Sequence, residues 1–317
     1  MTRSVIRRPE MANATLKLGG PAIDLSEYAT TGIVALAVAP RGSGKTNAGM
    51  LVGEQLSEQG WVSVFIDPES EMESMYGGAV ISPEDLRERL TKRDKPIVIV
   101  QAKDATEFVP YGRVLLDCAD EFRKPLFIMV DEGQLFSATR KRKEDIGEAT
   151  DIINDLVGRG RKRAVDIMIT ALRYTSTLNR SVFSDKNLTL IGTQEDPTVW
   201  SALAPQFRGS GIEFTDLNTL GPGEFYCISR RGMERVRMPM AKALGQVAQR
   251  AKPVRRSLPA TFSQWNRAMA GISTDRLLRL RDSEAINVLG AIAGLSAQQM
   301  LTGAAALKNE LDVRDEA

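Results

Sequence analysis

Two carboxylates in succession, Asp131 and Glu132, close the apolar run Leu126-Phe127-Ile128-Met129-Val130, and far upstream Lys45 and Thr46 close a glycine-spaced octapeptide, A-P-R-G-S-G-K-T over 39–46. The octapeptide has the chemistry of a phosphate cradle. Gly42 and Gly44 admit the main chain close to anionic oxygens, Lys45 can span two phosphates of a nucleotide, and the Thr46 hydroxyl can ligate Mg2+. The acids are the complementary half: Asp131 would hold the metal through water, and Glu132 would orient and deprotonate an attacking water. Loop and acids together point to hydrolysis of a nucleotide rather than simple binding, with Arg41, Gly42, Ser43, Gly44, Lys45, Thr46 and Asn47 as the expected nucleotide contacts. A chance Lys-Thr in a glycine-rich turn, and an acidic pair in a solvated turn, are the plain alternatives.

The flanking elements argue against both. Gly32 to Val38 is an apolar strand delivering the loop, and Asn47 to Gln59 is a helix whose N-terminus can receive phosphate. Ala39 stands where the usual motif has its first glycine, so the strand exit must adopt a conformation that tolerates a Cβ. Further apolar runs at Trp61–Ile66, Pro96–Val100, Asp166–Ala171 and Leu188–Gly192 alternate with helical stretches: Ser82 capping Pro83–Arg93, then about Tyr111–Phe122, then Lys143–Val157. That alternation predicts an α/β fold with a central, mostly parallel sheet covered on both faces and ligands at the carboxyl ends of its strands. Phe225–Ile228 and Glu234–Met240 read as a closing β-ribbon. Gly158–Arg163 reads as a glycine-broken basic turn.

The bulk numbers narrow the chemistry. With 317 residues, 43% hydrophobic and 26% charged, the chain is long enough for one large α/β domain and a small appendage. Histidine is absent, which excludes His-based triads, His zinc sites and imidazole bases. Two separated cysteines, Cys118 and Cys227, give no disulfide framework and suit a reducing, cytoplasmic setting, or a host cytoplasm or virion for a viral protein. The longest apolar runs, Thr31–Pro40 and Ile286–Leu295, are too short to span a membrane, and the basic N-terminus has no apolar stretch after it to make a signal peptide. A net charge of +2 gives no strong global field, so nucleic-acid affinity must come from local basic clusters. We divide the chain into a lead-in (1–30), an ATPase domain (31–250) and a helical C-terminal region (251–317), with Lys252–Arg256 as linker.

In ordered pieces, the sequence resembles the HerA/FtsK superfamily of hexameric DNA-pumping ATPases, in particular the HerA-like branch with the viral genome-packaging ATPases. The pieces are the loop at 39–46, D-P-E-S-E from Asp67, V-D-E-G-Q from Val130, G-R-K from Gly160, I-T-A-L-R from Ile169 and L-G-P-G-E-F from Leu220. The resemblance covers roughly Leu16 to Met240. It implies a RecA-like, additional-strand P-loop NTPase fold, ATP and Mg2+ as cofactors, and a hexameric homo-oligomer working on double-stranded DNA, with a capsid, nuclease or membrane-complex protein as a possible partner. It further implies Asp67 as an acid needed for activity, Glu132 as catalytic base, and Arg161 or Arg159 as an arginine finger reaching a neighbour's γ-phosphate. Read from the residues alone, the carboxylates of Asp67-Pro68-Glu69-Ser70-Glu71 could face the same crevice as Lys45, but the segment reads more readily as a proline turn than as a functional acid. Gly158–Arg163 reads as a solvated basic turn or a phosphate contact.

The chain departs from that pattern at Leu172, where the family carries a γ-phosphate-sensing glutamine; Thr170, Arg173 or Gln194 are the candidate substitutes. Residues 1–30 leave little room for the HerA family's barrel domain, so a compact packaging-type motor fits better. Arg140–Lys143 and Arg161–Arg163 are either pore-lining grips on DNA phosphates or ordinary basic helix faces, and without interleaved aromatics they support sequence-independent, salt-sensitive binding. The tail is expected helical over 260–270, 274–293 and 297–311, and the turn-like Ala291–Gln299 suits packing against a neighbour better than reading bases. A motor for protein assembly or secretion, and an ATP-gated switch with little turnover, remain alternatives.

Overall fold

The computed structural model describes residues 14–122, 125–137, 144–163, 165–174, 180–251, 265–266, 269–270, 272–282 and 297–315. They fall in two compact units, one ending at Gln249 and one starting at Arg250. The first unit is built on ten strands: β1 (Thr15–Leu16), β2 (Ile23–Asp24), β3 (Val34–Val38), β4 (Val62–Asp67), β5 (Ile97–Gln101), β6 (Leu126–Val130), β7 (Val165–Ala171), β8 (Leu188–Ile191), β9 (Glu224–Ser229) and β10 (Gly232–Arg237). Eight of these form one sheet in the order β10-β9-β8-β3-β7-β6-β4-β5. From β8 to β5 every pairing is parallel, and β9 and β10 add an antiparallel ribbon, as expected. Strand β7 lies between the loop strand β3 and the acid strand β6, which is the additional-strand arrangement.

The helices of this unit are α1 (Lys45–Glu58), α2 (Glu73–Tyr76), α3 (Pro83–Lys92), α4 (Ala105–Phe122), α5 (Glu144–Arg163), α6 (Arg180–Asp185), α7 (Trp200–Leu203), α8 (Phe214–Asn218) and α9 (Lys242–Ala251). Strand residues alternate between two buried clusters. Leu36, Ile66, Val100, Ile128 and Ile169 face one side with Phe108, Leu115, Ile153 and Leu156 of α4 and α5, while Ala37, Phe65, Met129 and Met168 face the other with Met50 and Leu56 of α1. Gly49 and Gly53 set the distance of α1 from the sheet, because a Cβ there would come within 2.5 Å of Met129 and 2.3 Å of Phe65.

Four segments differ from the sequence expectation. α5 does not break at the Gly158–Arg163 turn but continues as helix to Arg163. Buried Ala149, Ile152, Ile153, Leu156 and Val157 anchor it, and that packing overrides the weak helix propensity of Gly158 and Gly160. α4 starts at Ala105 rather than near Tyr111, because Asp104 caps it: its carboxylate accepts from the Glu107 N–H and its carbonyl from the Phe108 N–H, both at 3.0 Å, before Pro110 is reached. Residues 14–28, expected as lead-in, put Leu16, Leu18, Ile23, Leu25 and Tyr28 into the same cluster as Ala35 and Ala37. Helix α9 was not expected at all.

Strand β10 is the sheet's edge, with Glu234, Arg235 and Arg237 exposed. Gly19 packs directly on the Arg237 backbone, where an added Cβ would meet the carbonyl oxygen at 1.9 Å. Both cysteines are buried and free, and burial pushes the thiol of Cys118 up to about 11 and that of Cys227 to about 12. Among the described residues no helix is long and apolar enough to cross a membrane. In the second unit, helices Thr274–Asp282 and Ala297–Asp315 share a small core of Met269, Leu277, Ala306, Leu307 and Leu311. The basic run Arg140–Lys143, the linker Lys252–Arg256 and most of Ala291–Gln299 lie outside the described residues.

Candidate active site

The glycine-rich loop leaves the sheet at its middle. β3 is buried throughout, and its exit is turned by Gly42 (φ 76°) and Gly44 (φ 92°), left-handed conformations that a side chain would strain. Gly44 caps α1, so the helix's first N–H groups open onto the loop. Inside the loop the Ser43 hydroxyl and the Lys45 ammonium both donate to the Pro40 carbonyl, at 2.7 and 2.9 Å. Outside it, the Gly223 N–H donates to the Ser43 carbonyl at 2.9 Å and the Met238 N–H to the Gly223 carbonyl at 2.8 Å. The L-G-P-G-E-F segment is thus a backbone prop under the loop.

Ala39, in the place of the motif's first glycine, is fully buried and does not adopt a positive φ. Its methyl group occupies space left by Gly192 at the end of β8, where an added Cβ would lie 2.8 Å from that of Ala39. The missing glycine has in effect moved one strand across.

The acids stand on the next strand but one. The Thr46 hydroxyl donates to Asp131 Oδ2 at 3.0 Å, the Thr170 hydroxyl donates to Asp131 Oδ1 at 2.5 Å, and the Glu132 N–H donates to Thr170 Oγ1 at 3.0 Å. Burial raises the Asp131 carboxyl above the usual range, against the lowering effect of the hydrogen bonds from Thr170 and Thr46. Burial likewise lowers the Lys45 ammonium, opposed by the negative charges of Glu132 and Asp131. Glu132 holds φ 47° and ψ 48°, a left-handed conformation that is rare for a glutamate, and Gln134 donates to its carboxylate.

Lys45, Thr46, Asp131 and Glu132 line one cleft of about 450 Å³, together with Arg41. The adjacent Thr46 hydroxyl and Asp131 carboxylate are hard oxygen donors that fit Mg2+. Among the described residues no group of three or more acids, cysteines or histidines forms a metal cage.

Other expected residues stand elsewhere. Asp67 is buried at the end of β4, where its carboxylate accepts from the Met72 N–H at 2.7 Å, and it does not line the cleft. The turn it caps, with Ser70 left-handed at φ 58°, presents Glu69 and Glu71 to the cleft instead. Arg173 is exposed outside the cleft lining, close enough to Asp196 to add to the hydrogen bonds of Thr198 in lowering that carboxyl. Gln194 is buried, with its amide directed at the Val38 and Gly192 carbonyls, both at 3.4 Å. Arg159 and Arg161 are on the C-terminal half of α5, and their side chains lie outside the described residues.

Asn47 lines the cleft but spends its amide on a strap, donating to the Pro239 carbonyl at 2.9 Å and accepting from the Ala241 N–H at 2.8 Å. Glu54, one helical stretch further along α1, accepts from the N–H groups of Lys242 and Ala243 and from the Tyr76 hydroxyl, at 2.6, 3.0 and 2.7 Å. These ties bring Leu244 of α9 to the rim of the cleft. Sequence reasoning missed Leu244; the D-P-E-S-E carboxylates could be expected at the crevice of Lys45 as a group, and it is Glu69 and Glu71 that line it.

No family model matches the chain, and no curated protein matches it. Solved structures do. The genome packaging NTPase B204 from Sulfolobus turreted icosahedral virus 2, in complex with AMPPCP, aligns with a TM-score of 0.52 at 15% identity over 66% of this chain and 99% of its own. The cytoplasmic domain of the Thermomonospora curvata type VII secretion ATPase EccC aligns at 0.51 and 12% identity, over 73% of this chain and 27% of its own. The pCW3 conjugation coupling protein TcpA, with ATPγS, aligns at 0.50 and 12% identity, over 79% and 73%. In fold, this chain is therefore a P-loop NTPase whose structural neighbours are FtsK/HerA-type ATPases.

Proposed function

We propose that this protein is a Mg2+-dependent ATPase that assembles into a ring and moves double-stranded DNA, gripping it through phosphates without regard to sequence. The observation that carries the reading is the single cleft in which Lys45 and Thr46 meet Asp131 and Glu132. The α1 N-terminus and loop amides bind the β- and γ-phosphates, and Lys45 supplies positive charge across them. Thr46 and Asp131 would hold Mg2+, which would supply neutralisation of the charge that develops on the transferred group. Glu132 orients the attacking water and takes its proton as the oxygen bonds to the γ-phosphorus and the bond from that phosphorus to the β–γ bridging oxygen breaks, leaving ADP and phosphate. Asp67 acts by holding the turn that presents Glu69 and Glu71. Arg161, or Arg159, completes a neighbouring protomer's site, which ties turnover to assembly. Residues 31–250 form the ATPase domain, and 251–317 a helical region that contacts a neighbour or partner.

Steady-state ATP turnover of the purified chain, with and without linear duplex of unrelated sequences, tests this. Turnover that rises with duplex of any sequence, and falls steeply with salt, supports it. Absence of turnover with bound nucleotide retained would leave a switch, not a motor. The likeness to the secretion ATPase EccC favours a second reading, a motor acting on protein, for which duplex would have no effect.

A further inference from the structure

We propose that Thr170 is the positioning residue that aims both acids of the site, an inference that rests on the hydrolysis reading above. Thr170 belongs to β7, the strand between the loop strand and the acid strand. Its register, with Ala37 opposite Thr170 on one side and Val130 opposite Ile169 on the other, sets the hydroxyl level with the β6 terminus. The residue is completely buried. Its one hydroxyl proton goes to Asp131 Oδ1 at 2.5 Å, so it has none to donate to a phosphate. Its oxygen accepts the Glu132 N–H at 3.0 Å.

Each bond has a separate effect. The bond to Asp131 fixes the rotation of that carboxylate, leaving Oδ2 directed at Thr46 and the metal position. The bond from Glu132 holds the first residue after Asp131 in its left-handed conformation, so that its side chain projects into the cleft. Leu172, where the related ATPases carry a phosphate-sensing glutamine, has no polar group to offer. The hydroxyl two residues earlier plays a different part, because it senses no phosphate but couples the acid that holds metal to the acid that activates water.

The experiment compares Thr170→Val, which removes the hydroxyl at nearly constant volume, with Thr170→Ser, which keeps it. In the full chain, Thr170→Val should lose about 10- to 100-fold in kcat and need several-fold more Mg2+ for half-maximal turnover, with KM for ATP little changed. Thr170→Ser should stay close to wild type in all three. Amide hydrogen exchange in the absence of nucleotide supplies an independent reading: the 132–135 segment should exchange faster in Thr170→Val and not in Thr170→Ser. Wild-type turnover and Mg2+ dependence in Thr170→Val would overturn the proposal. So would equal damage in both variants, which would mean packing rather than the hydroxyl, or unchanged exchange at Glu132. If wild type itself binds no nucleotide, the hydrolysis reading fails by itself, while the exchange comparison still decides whether Thr170 holds Glu132.

Discussion

Gly192→Ala tests whether the loop's missing glycine has been relocated to the neighbouring strand. The new methyl group would lie 2.8 Å from Ala39 Cβ and 3.0 and 3.2 Å from two ring carbons of Phe225. Both neighbouring residues are fully buried, with nowhere to retreat. Overpacking of this kind costs about 1–3 kcal/mol, which lowers Tm by roughly 3–10 °C in a domain of this size. Ala39→Gly alone removes a buried methyl group, about 0.8 kcal/mol, and adds backbone freedom, about 0.5–1 kcal/mol. The double variant restores the same total volume with the glycine in the usual place, so it should be about as stable as Ala39→Gly, leaving a coupling energy equal in size to the Gly192→Ala cost, about 1–3 kcal/mol. Calorimetry of the nucleotide-free wild type, both single variants and the double variant reads this directly. Strict additivity, or a Gly192→Ala protein that melts with wild type, would refute the exchange.

Glu132→Gln should bind ATP as wild type does and lose turnover by about 10²–10⁴-fold, measured by phosphate release alongside fluorescent-nucleotide binding; near-normal hydrolysis would remove Glu132 as base. For Asp131 the folded carboxyl is raised, so its contribution to stability is present at low pH and is lost as pH rises through that raised value. Asp131→Asn should therefore melt higher than wild type at neutral pH, converge with it in acid, and lose the Mg2+-dependent part of nucleotide affinity. Because burial moves Asp131 up and Lys45 down, the pH profile of kcat/KM should be narrowed from both sides; an acid limb no higher than that of an ordinary carboxylate would contradict the first shift, and an alkaline limb no lower than that of an ordinary ammonium the second. Glu54→Ala leaves the Lys242 and Ala243 N–H groups and the Tyr76 hydroxyl without their acceptor, a loss of about 2–4 kcal/mol, and should weaken nucleotide binding by loosening Leu244.

What the sequence disclosed and what it withheld have physical reasons. Strands β3, β4, β6 and β7 are continuous apolar runs because both faces are covered, and the loop and acid pair follow them directly, so those parts were legible. The sequence marks Thr170 only as one of three candidate phosphate sensors: in a strand buried on both faces no polar alternation marks that its hydroxyl points at the acids instead. The continuation of α5 through Gly158 and Gly160 depends on packing by Ile153, Leu156 and Val157, which local propensity does not register. Asp67 looked like the functional acid of its motif, yet the left-handed Ser70 turns Glu69 and Glu71 into the cleft. Leu244 was invisible because the strap that brings it in is tied to α1 by Asn47 and Glu54, residues nearly two hundred positions away in the chain.

The charged outer strand bears on how copies of the chain can meet. With Glu234, Arg235 and Arg237 outward on β10 and the Gly19 turn pressed against its end, that margin resists annexation by a foreign strand. Protomers therefore cannot be stitched into a continuous sheet along that side. A neighbour meeting the molecule at this margin would have to join through helices and loops, contacts that can slide and re-form without unzipping a backbone ladder.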